Sequence, residues 1–228
     1  MTIINAAKKM FKGRFSLLFS IISLYIILSF IIRFTFLIWS LSDINLNFLY
    51  IIKAFGTGFL YDLTIATLFV GIYTVYLLLA PQRIIGSIFD KFFTYFYITL
   101  ILIIIYFSLV AEIPFWEEFG VRFNFIAVDY LIYTYEVVEN INQSYPIPLI
   151  VISLIAVIGG TFYLLKKQNV FKYTFSDKMT FAKRSLLAIP ILVIMTVLGI
   201  TMKNKTADFT NNLVINELGK NVNTTWWT

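Results

Sequence analysis

Residues 15–32, FSLLFSIISLYIILSFII, form a long uncharged apolar run that directly follows a basic N-terminal segment containing Lys8, Lys9, Lys12 and Arg14. A helix needs about 20 apolar residues to cross a bilayer, whereas the apolar part of a secretory signal covers only about 7 to 15 residues. No small-residue cleavage site follows this run. We therefore predict an uncleaved first membrane span over about residues 15–39.

The composition of the whole chain agrees with a membrane protein. Of the 228 residues, 60% are hydrophobic and 13% are charged, and the mean hydropathy is +0.86. Soluble domains are only about half apolar, so composition argues against a water-soluble fold. The net charge of +6 comes from short basic clusters between apolar runs, a pattern that membrane topology explains better than nucleic-acid binding.

Four further apolar runs predict spans at about residues 59–80, 92–110, 147–165 and 185–202. The predicted fold is therefore an all-α polytopic membrane protein of about five transmembrane helices. Residues 40–58 contain a Gly-Thr-Gly sequence that favours a loop or an interfacial helix, and residues 203–228 are predicted to form an extracytoplasmic linker. Within the spans, Gly159-Gly160 would permit close approach of a neighbouring helix, and Pro190 predicts a kink.

Basic residues in short loops are retained on the cytoplasmic side of a membrane. Most of them fall on one side of the predicted spans: Lys8, Lys9, Lys12, Arg14, Arg83, Lys91, Lys166, Lys167, Lys172, Lys178, Lys183 and Arg184. The other side carries fewer: Lys53, Arg122, Lys203, Lys205 and Lys220. We therefore predict a cytoplasmic N-terminus and an extracytoplasmic C-terminus.

The outer loop at residues 112–146 is rich in aromatic residues and acids. Its apolar residues recur at steps of three or four, which on a helix makes one apolar stripe: Trp116, Phe119, Phe123, Ile126, Tyr130, Tyr133, Val137 and Ile141. This pattern indicates an interfacial amphipathic helix or helix pair. Such helices usually carry basic rather than acidic polar faces, which leaves open whether the loop simply anchors itself in the interface or binds a protein partner.

Three charged residues near the predicted membrane surfaces have competing interpretations. Arg33, toward the far end of the first span, is expected to snorkel to the head groups rather than act as a buried functional ion. Asp62 is expected in a first helical turn, where the helix dipole stabilises a carboxylate. Arg122 could contact a lipid phosphate or form an ion pair with Glu117 or Glu118.

The residue types present limit the chemistry. The sequence has no Cys and no His, which excludes disulfides, thiolate sites and His-based triads or metal sites. No glycine-rich phosphate loop and no ligand cluster with metal-site spacing occurs in the sequence. We therefore predict no catalytic residue, metal ligand or cofactor in this chain, and no activity for the chain on its own.

Residues 115–137, FWEEFGVRFNFIAVDYLIYTYEV, together with Ser144-Tyr-Pro146, resemble the membrane domain of the lipoteichoic acid synthase family of sulfatase-like phosphoglycerol and phosphoethanolamine transferases. Two weaker stretches agree with this resemblance: residues 58–63, GFLYDL, and residues 216–221, NELGKN. The similarity covers nearly the whole chain and fades after Asn221.

The resemblance implies an enzyme of the bacterial cytoplasmic membrane with five spans, followed by an extracytoplasmic catalytic domain that this chain does not contain. That domain would hold a Thr nucleophile and a manganese or magnesium ion, and would transfer phosphoglycerol or a similar head group from a phospholipid to an acceptor. The implied partners of this chain are membrane lipids, a phospholipid substrate and that domain. The matched positions become candidate contacts to the lipid or the domain: Asp62, Trp116, Glu117, Phe119, Arg122, Asn124 and Asp129.

Two other functions remain open at this point. The same membrane domain could anchor a sulfatase-type hydrolase. Alternatively, the chain could be a non-enzymatic membrane scaffold that binds a partner through its acidic, aromatic outer loop.

Overall fold

The computed structural model describes residues 11–44, 47–123, 139, 143, 145–203, 208 and 210–221. In chain order these form α1 (Ser16–Trp39), a 3-10 turn (Leu41–Asp43), α2 (Phe48–Leu79), α3 (Ile88–Phe119), α4 (Ile147–Lys167), α5 (Val170–Ser176), α6 (Phe181–Lys203) and α7 (Leu213–Leu218). Within these residues there is no β-strand, and five of the helices, α1 to α4 and α6, are long and apolar enough to cross a membrane. The predicted all-α fold is confirmed.

The second span is longer than predicted. Helix α2 begins at Phe48, and the side chain of Asn47 caps it by accepting a hydrogen bond from the Leu49 N–H at 3.1 Å. The Gly56-Thr57-Gly58 sequence lies inside the helix rather than in a loop, because tertiary packing outweighs the low helix propensity of glycine. Asp62 therefore lies in the helix interior, and the prediction that it occupies a first turn was wrong.

The third span also extends further than predicted. Helix α3 continues through Pro114 to Phe119 and ends at Gly120, which adopts the left-handed conformation with φ 64°. Glycine adopts this conformation without steric penalty and is the usual residue just past a helix end. Residues 112–119, predicted as loop, are thus the last turns of α3, whereas most of the predicted apolar stripe beyond Phe123 lies outside the described residues.

The fourth and fifth predicted spans agree with α4 and α6 to within a few residues. Pro190 lies inside α6, which continues on both sides of it. The close approach predicted at Gly159-Gly160 is not found, since no described atom lies within 4 Å of a Cβ built at either glycine.

Helix α2 is the centre of the bundle and packs most extensively against α6 and α1. Within its most apolar stretch 56% of the residues are buried, compared with 6% in α4. Large apolar side chains such as Ile152, Ile155 and Tyr163 of α4 are more than half exposed. A contiguous apolar surface of this size would be unusual on a soluble protein, whereas a bilayer would cover it. The chain thus has the architecture of a polytopic membrane protein.

Buried charges join the helices at the end of the bundle nearest the N-terminus. The guanidinium of Arg14 forms a two-pronged ion pair with Asp90, with Nη2–Oδ1 and Nη1–Oδ2 distances of 2.6 and 2.8 Å, and also donates to the Thr174 carbonyl. Burial alone would lower the pKa of Arg14, but the hydrogen bond to Asp90 and the electrostatic interactions with Tyr73, Asp90 and Tyr76 together outweigh this and raise it. Nearby, Arg184 donates to the carbonyls of Leu77 and Ala80. At this end of the bundle, these contacts join the start of α1 to α3 and α5, and α6 to the end of α2.

The orientation predicted from Lys and Arg can be tested with single cysteines, because the chain contains none of its own. Gln168→Cys lies between α4 and α5, and Leu213→Cys lies at the opposite end of the spans; both positions are exposed. We expect a membrane-impermeant maleimide to label Leu213→Cys but not Gln168→Cys in intact expressing cells. Permeabilised cells, in which both should react, provide the control, and the reverse pattern in intact cells would show that the orientation is inverted.

Candidate functional site: a buried polar network at the tail end

A bidentate ion pair joins α1 and α2 near the end of the bundle where α7 lies, here called the tail end. Nη1 and Nη2 of Arg33 lie 2.5 and 2.9 Å from the two carboxylate oxygens of Asp62, and both side chains are only 1% exposed. Ser29, one helical turn before Arg33, donates a hydrogen bond to Asp62 at 2.7 Å. The prediction that Arg33 snorkels to the membrane surface was therefore wrong.

The sequence of α2 leaves room for this pair. Gly58 and Asp62 are four residues apart and so lie on the same helix face. A Cβ built on Gly58 would overlap the guanidinium of Arg33. Gly58 is thus needed for close approach: its missing side chain is the space that the guanidinium occupies.

The tail segment, residues 210–221, docks onto this ion pair. Arg33 Nε donates to the Leu218 carbonyl at 2.8 Å, and Nη2 donates to the Lys220 carbonyl at 3.3 Å. The side-chain amide of Asn221, which is fully buried, donates to Asp62 at 2.6 Å and contacts the Tyr25 hydroxyl at 3.0 Å. Two backbone carbonyls and one amide of the tail therefore complete the hydrogen bonding of the two buried charges.

Apolar contacts hold the same segment from another side. Ile215 and Leu218 of α7 are at most 1% exposed and share a buried cluster with Phe36, Ala54, Trp116 and Ile44. Helix α7 has only six residues, with Asn212 capping it by accepting from the Ile215 N–H at 3.2 Å. Helices this short are marginal in isolation, so α7 depends on its packing against the spans.

A second set of charges links the tail to the segment after α3. Arg122 Nη1 pairs with Glu112 at 2.7 Å, and the Arg122 backbone N–H donates to Glu217 of α7 at 3.0 Å. Glu217 in turn pairs with Lys220 at 2.5 Å. Burial lowers the pKa of the Arg122 guanidinium, and the charge of Glu112 opposes that shift. The predicted ion pair of Arg122 with Glu117 or Glu118 was wrong, because Arg122 turns inward to Glu112 and is fully buried.

This corner is the least complete part of the network. Among the described residues, Arg122 Nε and Nη2 and Glu112 Oε1 have no hydrogen-bond partner although all three atoms are buried. Each unsatisfied buried group of this kind costs about 1–3 kcal/mol. The guanidinium of Arg122 is therefore less completely hydrogen-bonded than that of Arg33, each of whose three nitrogens has a partner.

Two aromatic side chains, Phe36 and Trp116, pack beside the buried charges. The rings of Phe36 and Trp116 stack with centroids 4.3 Å apart and an interplanar angle of 2°. The indole N–H of Trp116 donates to Ser40 at 3.2 Å, and the Arg122 guanidinium lies over Phe36, 5.5 Å from its ring centre. Trp116 thus connects α3 to the end of α1 and forms part of the surface on which α7 packs.

The structure brings three of the candidate residues predicted from sequence, Asp62, Trp116 and Arg122, to this network. Glu117 and Phe119 lie on the last turn of α3 and are exposed, and Asn124 and Asp129 lie outside the described residues. Sequence reasoning missed Glu112, Glu217 and Asn221, and it assigned Arg33 to the surface. One signal was present: Arg33 and Asp62 are opposite charges in spans, and such charges usually pair with each other.

The network suits holding a chain segment better than reacting with a substrate. We name it the tail network and define it as Tyr25, Ser29, Arg33, Asp62, Glu112, Arg122, Glu217, Lys220 and Asn221. Its three cations, Arg33, Arg122 and Lys220, balance its three carboxylates. The described residues contain no group of three or more acidic, His or Cys side chains that could hold a metal ion. The manganese or magnesium that the resemblance implies is expected in the further domain and not in this chain.

No family model, curated protein or solved structure matches this chain. Its function must therefore be inferred from the residues and the geometry of the tail network.

Two glycines of α2 provide a matched pair for testing the network. Gly58→Ala should displace the Arg33 guanidinium and lower stability by about 1–3 kcal/mol, the cost of breaking buried hydrogen bonds. Gly56→Ala, at an exposed position where a Cβ meets nothing within 4 Å, should be neutral or stabilising by up to about 1 kcal/mol. Thermal unfolding of the two purified variants in detergent measures the difference, and equal effects would contradict the described position of Arg33.

Proposed function

We propose that this chain is the membrane-embedded part of a lipid head-group phosphotransferase whose catalytic domain follows the tail on the extracytoplasmic side. The reaction would transfer phosphoglycerol or a similar group from a phospholipid to an acceptor in the bacterial cytoplasmic membrane. The manganese or magnesium ion would belong to that domain, and membrane lipids and that domain would be the partners of this chain.

One observation carries this proposal. Three stretches far apart in sequence bear the resemblance to the lipoteichoic acid synthase family: residues 58–63, 115–137 and 216–221. The described parts of all three meet at the tail network. Asp62, Arg122, Glu217 and Asn221 belong to it, and Trp116 packs beside it in the apolar cluster that contains Leu218. Spatial convergence of separate motif stretches favours a shared role over chance similarity at each one.

The docked tail supports the same proposal. A segment that leaves the last span and is pinned to the first two spans would hold whatever follows it close to the bilayer. An enzyme that acts on phospholipid head groups needs its active site close to the membrane surface, where those head groups lie.

The rival proposal is a membrane scaffold without enzymatic activity. The exposure of Glu117 and Glu118 at the end of α3 favours it, because exposed acids next to aromatic residues can bind a basic partner. Reading the coding sequence beyond Thr228 separates the two proposals. The transferase requires a further large domain with a Thr nucleophile among Asp, Glu and His ligands, whereas the scaffold does not.

The direct test is head-group transfer by membranes that express the full reading frame, with phosphatidylglycerol labelled in its glycerol head group and with or without manganese. We expect metal-dependent release of diacylglycerol together with labelled acceptor, and membranes lacking the protein serve as the control. Release of diacylglycerol with only free labelled glycerol phosphate would indicate a hydrolase. The absence of turnover with several phospholipid donors, despite correct insertion, would favour the scaffold.

A further inference from the structure

The Arg33–Asp62 pair lies in the spans, where charges are expensive to bury. A buried ion pair stabilises a fold only when further hydrogen bonds satisfy the remaining donors and acceptors. Here those bonds come largely from outside the spans: Arg33 Nε has the Leu218 carbonyl as its partner, and Asp62 Oδ1 accepts from the Asn221 amide. The spans thus present a polar site that the tail completes.

The tail contacts a second, independent part of the molecule. Glu217 accepts from the backbone N–H of Arg122, two residues after the end of α3 at Gly120. The same short helix is therefore bonded to α1 through Leu218 and to the beginning of the outer loop through Glu217, and Asn221 just beyond the helix is bonded to α2. Any movement of α7 away from the spans breaks both sets of contacts.

We propose that the tail segment, residues 210–221, is a releasable clamp. The ends of α1 and α2 that carry Arg33 and Asp62 form the surface to which it docks, here called its receptor. Docking also fixes the first residues of the outer loop, because Glu217 binds the backbone of Arg122. In the docked state the clamp sets the direction of the chain beyond Asn221. In the released state the Arg33–Asp62 pair and the Glu112–Arg122 pair face the outside. This inference does not depend on the proposed function, because a scaffold could use the same clamp.

Two features make the clamp releasable. Helix α7 is too short to be stable without its receptor, so it would unfold on leaving. The contact between α7 and the loop is the hydrogen bond from the Arg122 backbone N–H to Glu217, whereas Arg33 donates to two carbonyls of the tail. Release from the loop therefore breaks fewer of the described hydrogen bonds than release from Arg33.

Cysteine reactivity tests the clamp in the full chain, because the protein has no native cysteine. Ile215→Cys and Leu213→Cys lie two residues apart on α7, and their side chains are 1% and 73% exposed. A buried thiol reacts only through local opening. We expect an impermeant maleimide to label Ile215→Cys at least about tenfold more slowly than Leu213→Cys, a ratio that corresponds to an opening free energy of about 1.4 kcal/mol.

Second substitutions then test what holds the clamp. Asn221→Ala in the Ile215→Cys background should raise its labelling rate to that of Leu213→Cys, because it removes the amide that binds Asp62. Gly56→Ala, which contacts nothing at its Cβ, should leave the rate unchanged and is the matched control. Gel filtration in detergent checks that each variant remains folded.

A third position tests the coupling to the loop. Val121→Cys, next to Arg122, should become more reactive when Asn221→Ala releases the tail, because release breaks the hydrogen bond between the Arg122 backbone and Glu217. Fast labelling of Ile215→Cys in the otherwise unchanged protein, or continued protection with Asn221→Ala, would overturn the clamp. If Asn221→Ala speeds labelling of Ile215→Cys but leaves the labelling rate of Val121→Cys unchanged, the coupling of the clamp to the outer loop would be overturned. Because no readout here is enzymatic, failure of the clamp is distinguishable from failure of the proposed function.

Discussion

The buried ion pair between Arg33 and Asp62 is the interaction on which the tail end depends. Both charges are buried among apolar helices, away from water. The donors of Arg33 and the acceptors of Asp62 that are not used in the ion pair itself must therefore find partners in the protein. Gly58 supplies the space for the guanidinium, Ser29 supplies a donor, and the tail supplies two carbonyls and an amide. The requirement to satisfy this pair explains why a polar segment returns to pack against two apolar spans.

Charges join the helices at both ends of the bundle, while the buried side chains described in the middle are apolar or uncharged. At one end Arg14 and Asp90 connect α1, α3 and α5, and at the other end Arg33 and Asp62 connect α1, α2 and the tail. Apolar surfaces alone give little specificity between helices in lipid, because lipid tails are as apolar as leucine. Bidentate pairs have a fixed geometry, so these two clusters are well suited to fix how α1 is positioned against its neighbours.

Much of this fold could be predicted from hydropathy, because five apolar runs must each form a helix in a bilayer. The errors occurred where tertiary contacts outweighed local signals. Gly56 and Gly58 indicated a turn, but Gly58 is a packing position inside α2. The third span was predicted to end near residue 110, but α3 continues through Pro114 to Phe119. The sequence pattern also could not show which way a charge near a helix end faces, and so Arg33 was assigned to the surface. Asn221 lies in the stretch 216–221 that resembles the family, but its pairing with Asp62 could not be predicted, because only the folded tail brings its amide to that carboxylate.

Distance measurement between spin labels tests most directly whether the buried pair holds the tail against the spans. Labels on Lys53→Cys of α2 and Leu213→Cys of α7 would occupy two exposed positions, and no native cysteine competes for the label. Double electron–electron resonance in lipid nanodiscs should give one narrow distance distribution, which Asp62→Asn should broaden. A broad distribution in the otherwise unchanged protein would contradict a docked tail, and a narrow one that Asp62→Asn leaves unchanged would show that the ion pair does not hold it.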